Sequence, residues 1–460
     1  MKITKMSLVA ALLIGSSAFA IDNIKTSGNV QVAYNTSDAA SGYDAVLGNS
    51  EGSLFHKDSS AADVALNLNL SADLAKNDLV TISVGAGYTL VTTLGLENNF
   101  VSNVWGGSHA TPATTTGANY ASAAFGGAKV ENASWMNEAY AVVSLNQFSK
   151  SLLKVGRQAI DTPLAFTETW SVEKNTFEAA VLVNNDIQDT TIVAAFVGNG
   201  NGNEAFGQNL NDATDANLDG LPDSPTVTNL GLANGAVVNP NGDFATFGTN
   251  GAYAFGVVNN SWKPLTAQAW YYNLNSLATA YWVQADLAMD GILAGVQYTS
   301  TTVNDKNIDP VGDASGTFAI MAGYEMKDMV TAKLAFSQTA DKGALHGANT
   351  ATSTAASKLY TEAWWAYGQV TQADTSAITL TVESPVNGIV DLGLYTTMVD
   401  HGDANTNGDF LEVTVTASKS FGPLDTTLAV IYGDEDASDV AGSTDPDATT
   451  IVQAYLTLNF

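Results

Sequence analysis

The sequence contains no cysteine, and Arg157 is its only arginine. Without cysteine there is no disulfide framework, so the fold must be stabilised in other ways. After the first twenty residues the chain also lacks any run of about 20 apolar residues, the length that a membrane-spanning helix needs. Catalytic motifs, phosphate-binding loops and dinucleotide fingerprints are missing too. We therefore expect neither an enzyme nor a protein anchored in a membrane by helices.

Basic residues are scarce throughout. The chain has 17 lysines and arginines against 46 aspartates and glutamates. So acidic a surface makes nucleic acid a poor partner, because phosphates would be repelled. Small cations, by contrast, would be attracted.

The first twenty residues have the features of a signal peptide. Lys2 and Lys5 precede an apolar run over 6–14, and small residues end in Ala18-Phe19-Ala20. The apolar run is too short to span a bilayer. We expect a signal peptide over 1–20 and a single mature domain over 21–460. An exported chain of this kind is periplasmic, secreted or an outer-membrane barrel.

The mature chain repeats one unit, an alternating segment of about ten residues followed by a connection. Leu66, Leu68 and Leu70 alternate with Asn67 and Asn69. A short turn at 76–78 follows, and then the segment 80–88 alternates in the same way. This pattern predicts a hairpin with one apolar face and one polar face.

Short turns and long connections alternate along the rest of the chain. This asymmetry is typical of outer-membrane barrels, which have short periplasmic turns and long extracellular loops. Short turns are expected near 147–150, 184–186, 259–264, 289–291, 327–328, 385–388 and 419–423. Long polar connections are expected at 36–62, 91–136, 159–174, 198–250, 301–316, 339–374, 400–409 and 434–448, with a short exception at 274–278.

The last ten residues alternate in the same way and end on an aromatic residue. Val452, Ala454, Leu456 and Leu458 share one face with Phe460. In a barrel such a strand pairs with the first strand and closes the cylinder. The sequence therefore predicts an all-β fold, a transmembrane antiparallel β-barrel of about 18 strands in the bacterial outer membrane. A count of 16 strands is also compatible with the pattern.

Two predicted external loops have oxygen ligands at calcium-type spacing. Alternate carboxylate and amide oxygens converge on a hard cation, and a glycine permits the sharp turn. A full EF-hand is excluded, because the twelfth position of the first loop is Thr226. We expect Ca²⁺ as a structural ion there and no cofactor for function; a plain solvated acidic loop is the alternative. The candidate ligands are Asp215, Asn217, Asp219, Leu221 and Asp223 in the first loop, and Asp403, Asn405, Asn407 and Asp409 in the second, weaker one.

The connection at 159–174 is the third external loop and a candidate pore constriction. It carries Asp161, Glu168 and Glu173, and Lys154 and Arg157 come just before it. If the loop folds inward, these five residues would ring the narrowest point and set ion selectivity. Alternatively they lie at the extracellular mouth. Lys154 has the inward parity of its strand, whereas Arg157 does not unless a bulge intervenes.

Several motifs resemble porins of the Campylobacter and Arcobacter group. They are Gly156–Leu164, Asn175–Thr191, Ala373–Thr375 and Asp391–Tyr395. The resemblance covers most of the mature chain. It implies an 18-stranded barrel, usually a homotrimer, that passes small hydrophilic solutes and favours cations.

We therefore expect a general diffusion porin, seated in outer-membrane lipid, with a polar, water-filled lumen. A substrate-specific channel and a barrel-anchored adhesin or structural surface protein are the alternatives. We expect cation selectivity, because the mature chain keeps 46 acidic side chains against 15 basic ones once Lys2 and Lys5 are removed. The predicted lumen-lining side chains are Asn67, Asn69, Thr81, Ser83, Gln284, Asp286, Lys333 and Thr414.

Overall fold

The computed structural model describes most of the chain from residue 21 onward. No helix in the described part of the chain is long and apolar enough to cross a membrane. The elements in the described residues are nineteen β-strands and one three-residue 3₁₀ turn at Gln369–Thr371. The described residues are 21–38, 53–56, 59–92, 94–96, 133–202, 237–239, 242–248, 250–275, 277–304, 314–352, 354–386, 388–402, 408–436 and 447–460.

All strands pair antiparallel. The first and last strands pair with each other from Asn29 opposite Asn459 to Ser37 opposite Ile451, which closes the sheet into a cylinder. The strands are β1 Asp22–Ser37, β2 Ser60–Lys76, β3 Val80–Thr92, β4 Ala133–Leu145, β5 Ser151–Gln158, β6 Phe177–Asn184, β7 Thr190–Gly200, β8 Ala245–Thr246, β9 Ala252–Asn259, β10 Leu265–Leu274, β11 Ala278–Met289, β12 Ile292–Val303, β13 Thr317–Met326, β14 Val330–Thr339, β15 Thr375–Val386, β16 Val390–His401, β17 Asp409–Phe421, β18 Leu424–Asp436 and β19 Thr449–Asn459.

Eighteen of these strands form the wall. β8 has only two residues and pairs with the end of β7, while β7 and β9 pair directly along the cylinder. The prediction of an 18-stranded barrel is confirmed, and the count of 16 is wrong. The short turns and long connections also alternate as predicted, including the short connection between β10 and β11.

Alternation along each strand separates two faces. In the β2–β3 hairpin Leu68 lies opposite Tyr88, and Asn67 lies opposite Thr89. Leu68 and Tyr88 are 42% and 44% exposed, although both are large and apolar. Such exposure repeats around the barrel, so the outer wall is an apolar belt that matches lipid hydrocarbon.

Aromatic side chains stand on the outer face, several of them in cross-strand pairs. Phe196 and Tyr253 have ring centroids 5.0 Å apart, and Tyr281 and Tyr298 have centroids 5.8 Å apart. Rings of this kind anchor a barrel at the membrane–water boundary.

Turn chemistry explains one of the tight hairpins. Asp290 and Gly291 connect β11 to β12 with φ values of 52° and 84°. A two-residue turn with two positive φ angles matches the right-handed twist of the flanking strands, and Asp-Gly is a preferred pair for it.

The end of β19 packs against the first strand. The backbone groups of Gly28 and Phe460 exchange hydrogen bonds of 2.9 and 3.0 Å. A Cβ added at Gly28 would lie 2.7 Å from the Phe460 ring. Glycine is therefore needed at this position to admit the ring.

Candidate functional site

The inner face of the barrel is polar and internally hydrogen-bonded. Asn137 Nδ2 donates to Thr89 Oγ1 at 2.8 Å, and Thr89 Oγ1 donates to Asn67 Oδ1 at 2.7 Å. Gln268 Nε2 donates to Gln284 Oε1 at 3.0 Å. Strand alternation places the predicted lumen-lining side chains on this face.

The 159–176 loop lies inside the lumen. Lys174 Nζ contacts Glu138 Oε1 on the inner face of β4 at 2.5 Å. The Leu164 backbone N–H points to the Tyr272 hydroxyl of β10 at 3.4 Å. This loop therefore reaches inner-face residues on well-separated strands of the wall.

A second loop, 340–374, lies inside the lumen as well. Gln297 is on the inner face of β12, because its neighbours Val296 and Tyr298 are exposed on the outer face. Its Nε2 donates to the Lys358 carbonyl at 2.8 Å, and its Oε1 accepts from the Tyr360 N–H at 3.0 Å.

The same loop is also fixed to β17 of the wall by a carboxylate. Glu412 of β17 is only 1% exposed and accepts hydrogen bonds from three successive backbone N–H groups. Trp364, Trp365 and Ala366 donate at distances of 2.7 to 3.2 Å. The 340–374 loop therefore spans from β12 to β17.

Glu168 joins the two loops. It is 3% exposed. Its Oε2 accepts from Trp170 Nε1 at 2.7 Å, and its Oε1 accepts from Asn349 Nδ2 at 2.9 Å and Thr354 Oγ1 at 2.7 Å. Thr352 Oγ1 donates to Oε1 as well. Four donors thus converge on one buried carboxylate.

Backbone contacts reinforce this junction. The Thr350 N–H and hydroxyl both donate to the Leu164 carbonyl, at 2.9 and 2.7 Å. The Asn349 side chain brackets Phe166, accepting from its N–H and donating to its carbonyl, both at 3.1 Å. The two loops therefore form one connected body across the lumen.

Only some of the predicted constriction residues lie in the lumen opening. Lys154 faces inward, with Nζ 3.7 Å from the centre of the Tyr140 ring. Asp161 is 84% exposed and pairs with Lys358 of the other loop. These two residues are candidates for contact with solutes.

Arg157 lies on the other side of the sheet. It has the parity of the lipid-facing Leu153 and Val155, and the pairing of β5 shows no register shift there. Its Nε donates to Glu178 Oε1 at 2.8 Å, and its guanidinium stacks on Phe244. The structure therefore separates Arg157 from Lys154.

Glu168 and Glu173 are buried among the loops, at 3% and 2% exposure. The expectation that they ring an open constriction does not match this placement. Sequence spacing could put them in the loop, but it could not tell an exposed carboxylate from one that closes a junction.

Burial shifts the titration of two loop side chains. It raises the pKa of Glu362 to about 8, against hydrogen bonds from the Ser357 and Ala363 N–H groups that favour the carboxylate. It lowers the pKa of His346 to about 4. At neutral pH both groups are therefore uncharged while the loop is docked.

The role of the 340–374 loop was missed from the sequence. A usable signal was present, since this long loop has only three acidic residues and concentrates aromatic ones. They are Asp341, Glu362 and Asp374, and Tyr360, Trp364, Trp365 and Tyr367.

Most of the candidate calcium ligands lie outside the described residues. Asp215–Asp223 lies outside the described residues, as do Asp403, Asn405 and Asn407. Asp409 is described, and its Oδ1 accepts from the His401 N–H at 3.0 Å. Within the described ranges, no group of three or more His, Asp or Glu side chains is arranged to hold a metal ion.

A scan against family models finds no match, and a search of curated proteins finds none either. Solved structures do match over nearly the whole chain. OccAB4 of Acinetobacter baumannii has a TM-score of 0.64 at 11% identity, covering 96% of this chain and 99% of that one. OccAB2 of the same organism has a TM-score of 0.62 at 13% identity, with coverage of 96% and 99%.

OccK1 (OpdK) of Pseudomonas aeruginosa gives a TM-score of 0.62 at 11% identity, with 95% and 98% covered. One of the matching structures is OpdK with vanillate. At such low identities these matches establish the fold alone, and the resemblance to Campylobacter and Arcobacter porins stays a prediction. The closed barrel, its apolar belt and these matches together show that the chain has an outer-membrane porin fold and belongs in the bacterial outer membrane.

Proposed function

We propose that the chain is a narrow, non-enzymatic outer-membrane channel that passes small hydrophilic solutes and favours cations. The observation that carries the proposal is the pair of loops joined across a polar lumen. Eighteen strands alone would enclose a wide pore. Two loops inside it leave a reduced passage, which favours the solute-discriminating alternative over a wide general diffusion porin.

Charge supports the cation preference. Two of the three lysines on the inward loops pair with acids, Lys174 with Glu138 and Lys358 with Asp161. Asp161 remains largely exposed in its pair. Nearer the periplasmic end, Glu383 and Asp391 share the inner face and are exposed. Carboxylates along the path attract cations and repel anions.

Zero-current potential in a bilayer with unequal KCl tests the cation preference. We expect a sign showing potassium preference that weakens at high salt, because the Debye length falls from about 30 Å at 0.01 M to about 3 Å at 1 M. Chloride preference at low salt would contradict the proposal.

Liposome swelling tests the size of the passage. We expect small amino acids to enter readily and disaccharides to enter much more slowly. Equal rates for both would favour a wide general porin, and no conductance at all would favour the adhesin alternative. The implied homotrimer would show as three barrel masses by light scattering in detergent.

A further inference from the structure

A groove crosses the lipid-facing wall close to the place where the first and last strands meet. It has a volume of about 410 Å³, and most of the side chains that line it are apolar. The large ones are 42–61% exposed, so the groove is open to the bilayer. They are Leu68, Leu70, Tyr88, Met136 and Phe460. We name this feature the outer groove.

Strand pairing explains the shape of the outer groove. Along one outward-facing row most side chains are large, and the residues that lie opposite one another on successive strands are Phe460, Gly28, Leu68, Tyr88 and Met136. The next row towards the periplasm has small side chains in its middle, and its members are Leu70, Ala86, Ala139 and Arg157. Ala86 therefore leaves a depression beside the large side chains, and its row leads to Arg157.

Arg157 lies at the Met136 end of the outer groove. Its Nη1 donates to the Met136 carbonyl at 3.0 Å, and its Nε donates to Glu178 Oε1 at 2.8 Å. The Phe244 ring covers one face of the guanidinium, with the ring centroid 4.0 Å from Cζ. A guanidinium has five N–H groups, and within the described residues it donates only these two hydrogen bonds. The other N–H groups of an oriented cation therefore remain available at the end of the groove.

The height of Arg157 in the membrane follows from two aromatic side chains on the outer face. Tyr88 on β3 and Phe196 on β7 both lie towards the extracellular ends of their strands. Tyr88 stands one outward-facing row above Arg157, and Phe196 stands one row below it. Barrel strands are tilted, so the membrane–water boundary crosses the rows diagonally. Because β5 lies midway between β3 and β7, Arg157 lies at this boundary, among the headgroups of the outer leaflet.

We propose that the outer groove and Arg157 bind one phosphate-bearing lipid of the outer leaflet, with an acyl chain in the groove and the phosphate on the guanidinium. Different acyl chains would fill the groove about equally well, because lipid tails are as apolar as the side chains around them. The headgroup therefore decides which lipid is retained, and the planar donors of arginine suit phosphate oxygens. Glu178 occupies only the Nε edge of the guanidinium, which leaves Nη donors for the phosphate.

This inference concerns the outer wall and does not depend on conduction, so lipid binding alone tests it. Native mass spectrometry counts the lipids bound to the purified full-length barrel in detergent. Dimyristoyl phosphatidic acid and dimyristoylglycerol are the probes, because they have the same chains and differ only in the phosphate. We expect one phosphatidic acid to bind about tenfold more tightly than the diacylglycerol. Inorganic phosphate at the same concentration should not displace it, because free phosphate lacks the chain that fills the groove.

Three substitutions separate a lipid site from a merely structural ion pair. Arg157→Gln should weaken phosphatidic acid binding about tenfold, to the level of the diacylglycerol. Glu178→Gln breaks the same ion pair but keeps the cation, so binding should be retained. Ala86→Phe fills the groove and should weaken binding about fivefold, because the chain loses its contacts there. Ala294→Phe is the matched control, since Ala294 shares the outer face of β12 with the exposed Val296 and lies far from the groove.

Heat-modifiable gel mobility verifies that each variant is folded. If Arg157→Gln does not fold, Arg157→Lys takes its place, and its loss of binding should be smaller because it keeps the charge without the planar donors. Equal binding of the two lipids, displacement by inorganic phosphate, or equal losses in the Arg157 and Glu178 variants would overturn the inference. A fall in particle mass by light scattering in Ala86→Phe would show that a second barrel covers the groove, which would overturn it as well.

Discussion

Glu168 should control whether the two inward loops stay together. Replacing it with alanine removes the acceptor for four donors, among them Trp170 Nε1 at 2.7 Å and Thr354 Oγ1 at 2.7 Å. Hydrogen bonds to a charged group contribute about 1.5–3 kcal/mol each, and a buried donor left unpaired costs about 1–3 kcal/mol. Some donors have other partners, since Asn349 also donates to the Phe166 carbonyl.

We therefore expect Glu168→Ala to weaken docking of the loops by on the order of 4 kcal/mol, which is about a thousandfold in the docking equilibrium. Glu168→Gln keeps the shape of the side chain and one acceptor oxygen, so it should weaken docking of the loops by only about 1–2 kcal/mol. The barrel itself should remain closed, because β1 and β19 pair independently of either loop.

Single-channel recording in planar bilayers is the appropriate assay. Wild type should give a steady open level, whereas Glu168→Ala should step often to a higher conductance as the loops separate. Glu325→Ala is the control, since Glu325 is exposed at the periplasmic end of β13. If Glu168→Ala folds normally and its traces match those of wild type, Glu168 does not hold the loops together.

Three further predictions concern pH, assembly and metal. The pKa of Glu362 is about 8 in the docked loop, against an ordinary value of 4.5. Docking is therefore strongest below about pH 4.5 and weakens as the pH rises towards 8. Raising the pH from 6 to 9 should increase the number of opening steps in wild type but not in Glu362→Gln. Replacing Phe460 with Asp should reduce the amount of heat-modifiable barrel in the outer membrane, because its ring packs on Gly28 beside the closing strand pair, and normal amounts would contradict this. The loop at Asp215–Asp223 should bind Ca²⁺ at about 10⁻⁴ to 10⁻³ M by calorimetry, and unchanged binding in Asp219→Ala would rule that site out.

The wall was predictable from sequence because each strand carries its own signal. Leu68 and Asn69 face opposite sides whatever their partners are, since side chains alternate along a strand. The same local rule gave Arg157 the parity opposite to Lys154 unless a bulge intervened, and the pairing of β5 shows no register shift at Arg157. Turns such as Asp290-Gly291 are equally local, so the strand order followed from them.

The lumen was much less predictable, because its contacts connect distant parts of the chain. Glu168 meets Thr352 and Thr354 across more than 180 residues. No periodicity links such segments, and a glutamate in a loop looks the same whether it is buried or solvated. For this reason the sequence identified the 159–174 loop as a candidate and missed the 340–374 loop.

The joined loops also act as an internal strut. They connect β4 and β10 through one loop with β12 and β17 through the other, so they resist flattening of the cylinder into an oval. The number of strands then sets the circumference of the barrel, while the loops set the diameter of the open passage. The size of the wall and the width of the passage can change separately, because the loops can be shortened, or their residues replaced, without altering any strand pairing in the wall. Nanopores of graded diameter could therefore be made from this one barrel by editing its interior alone.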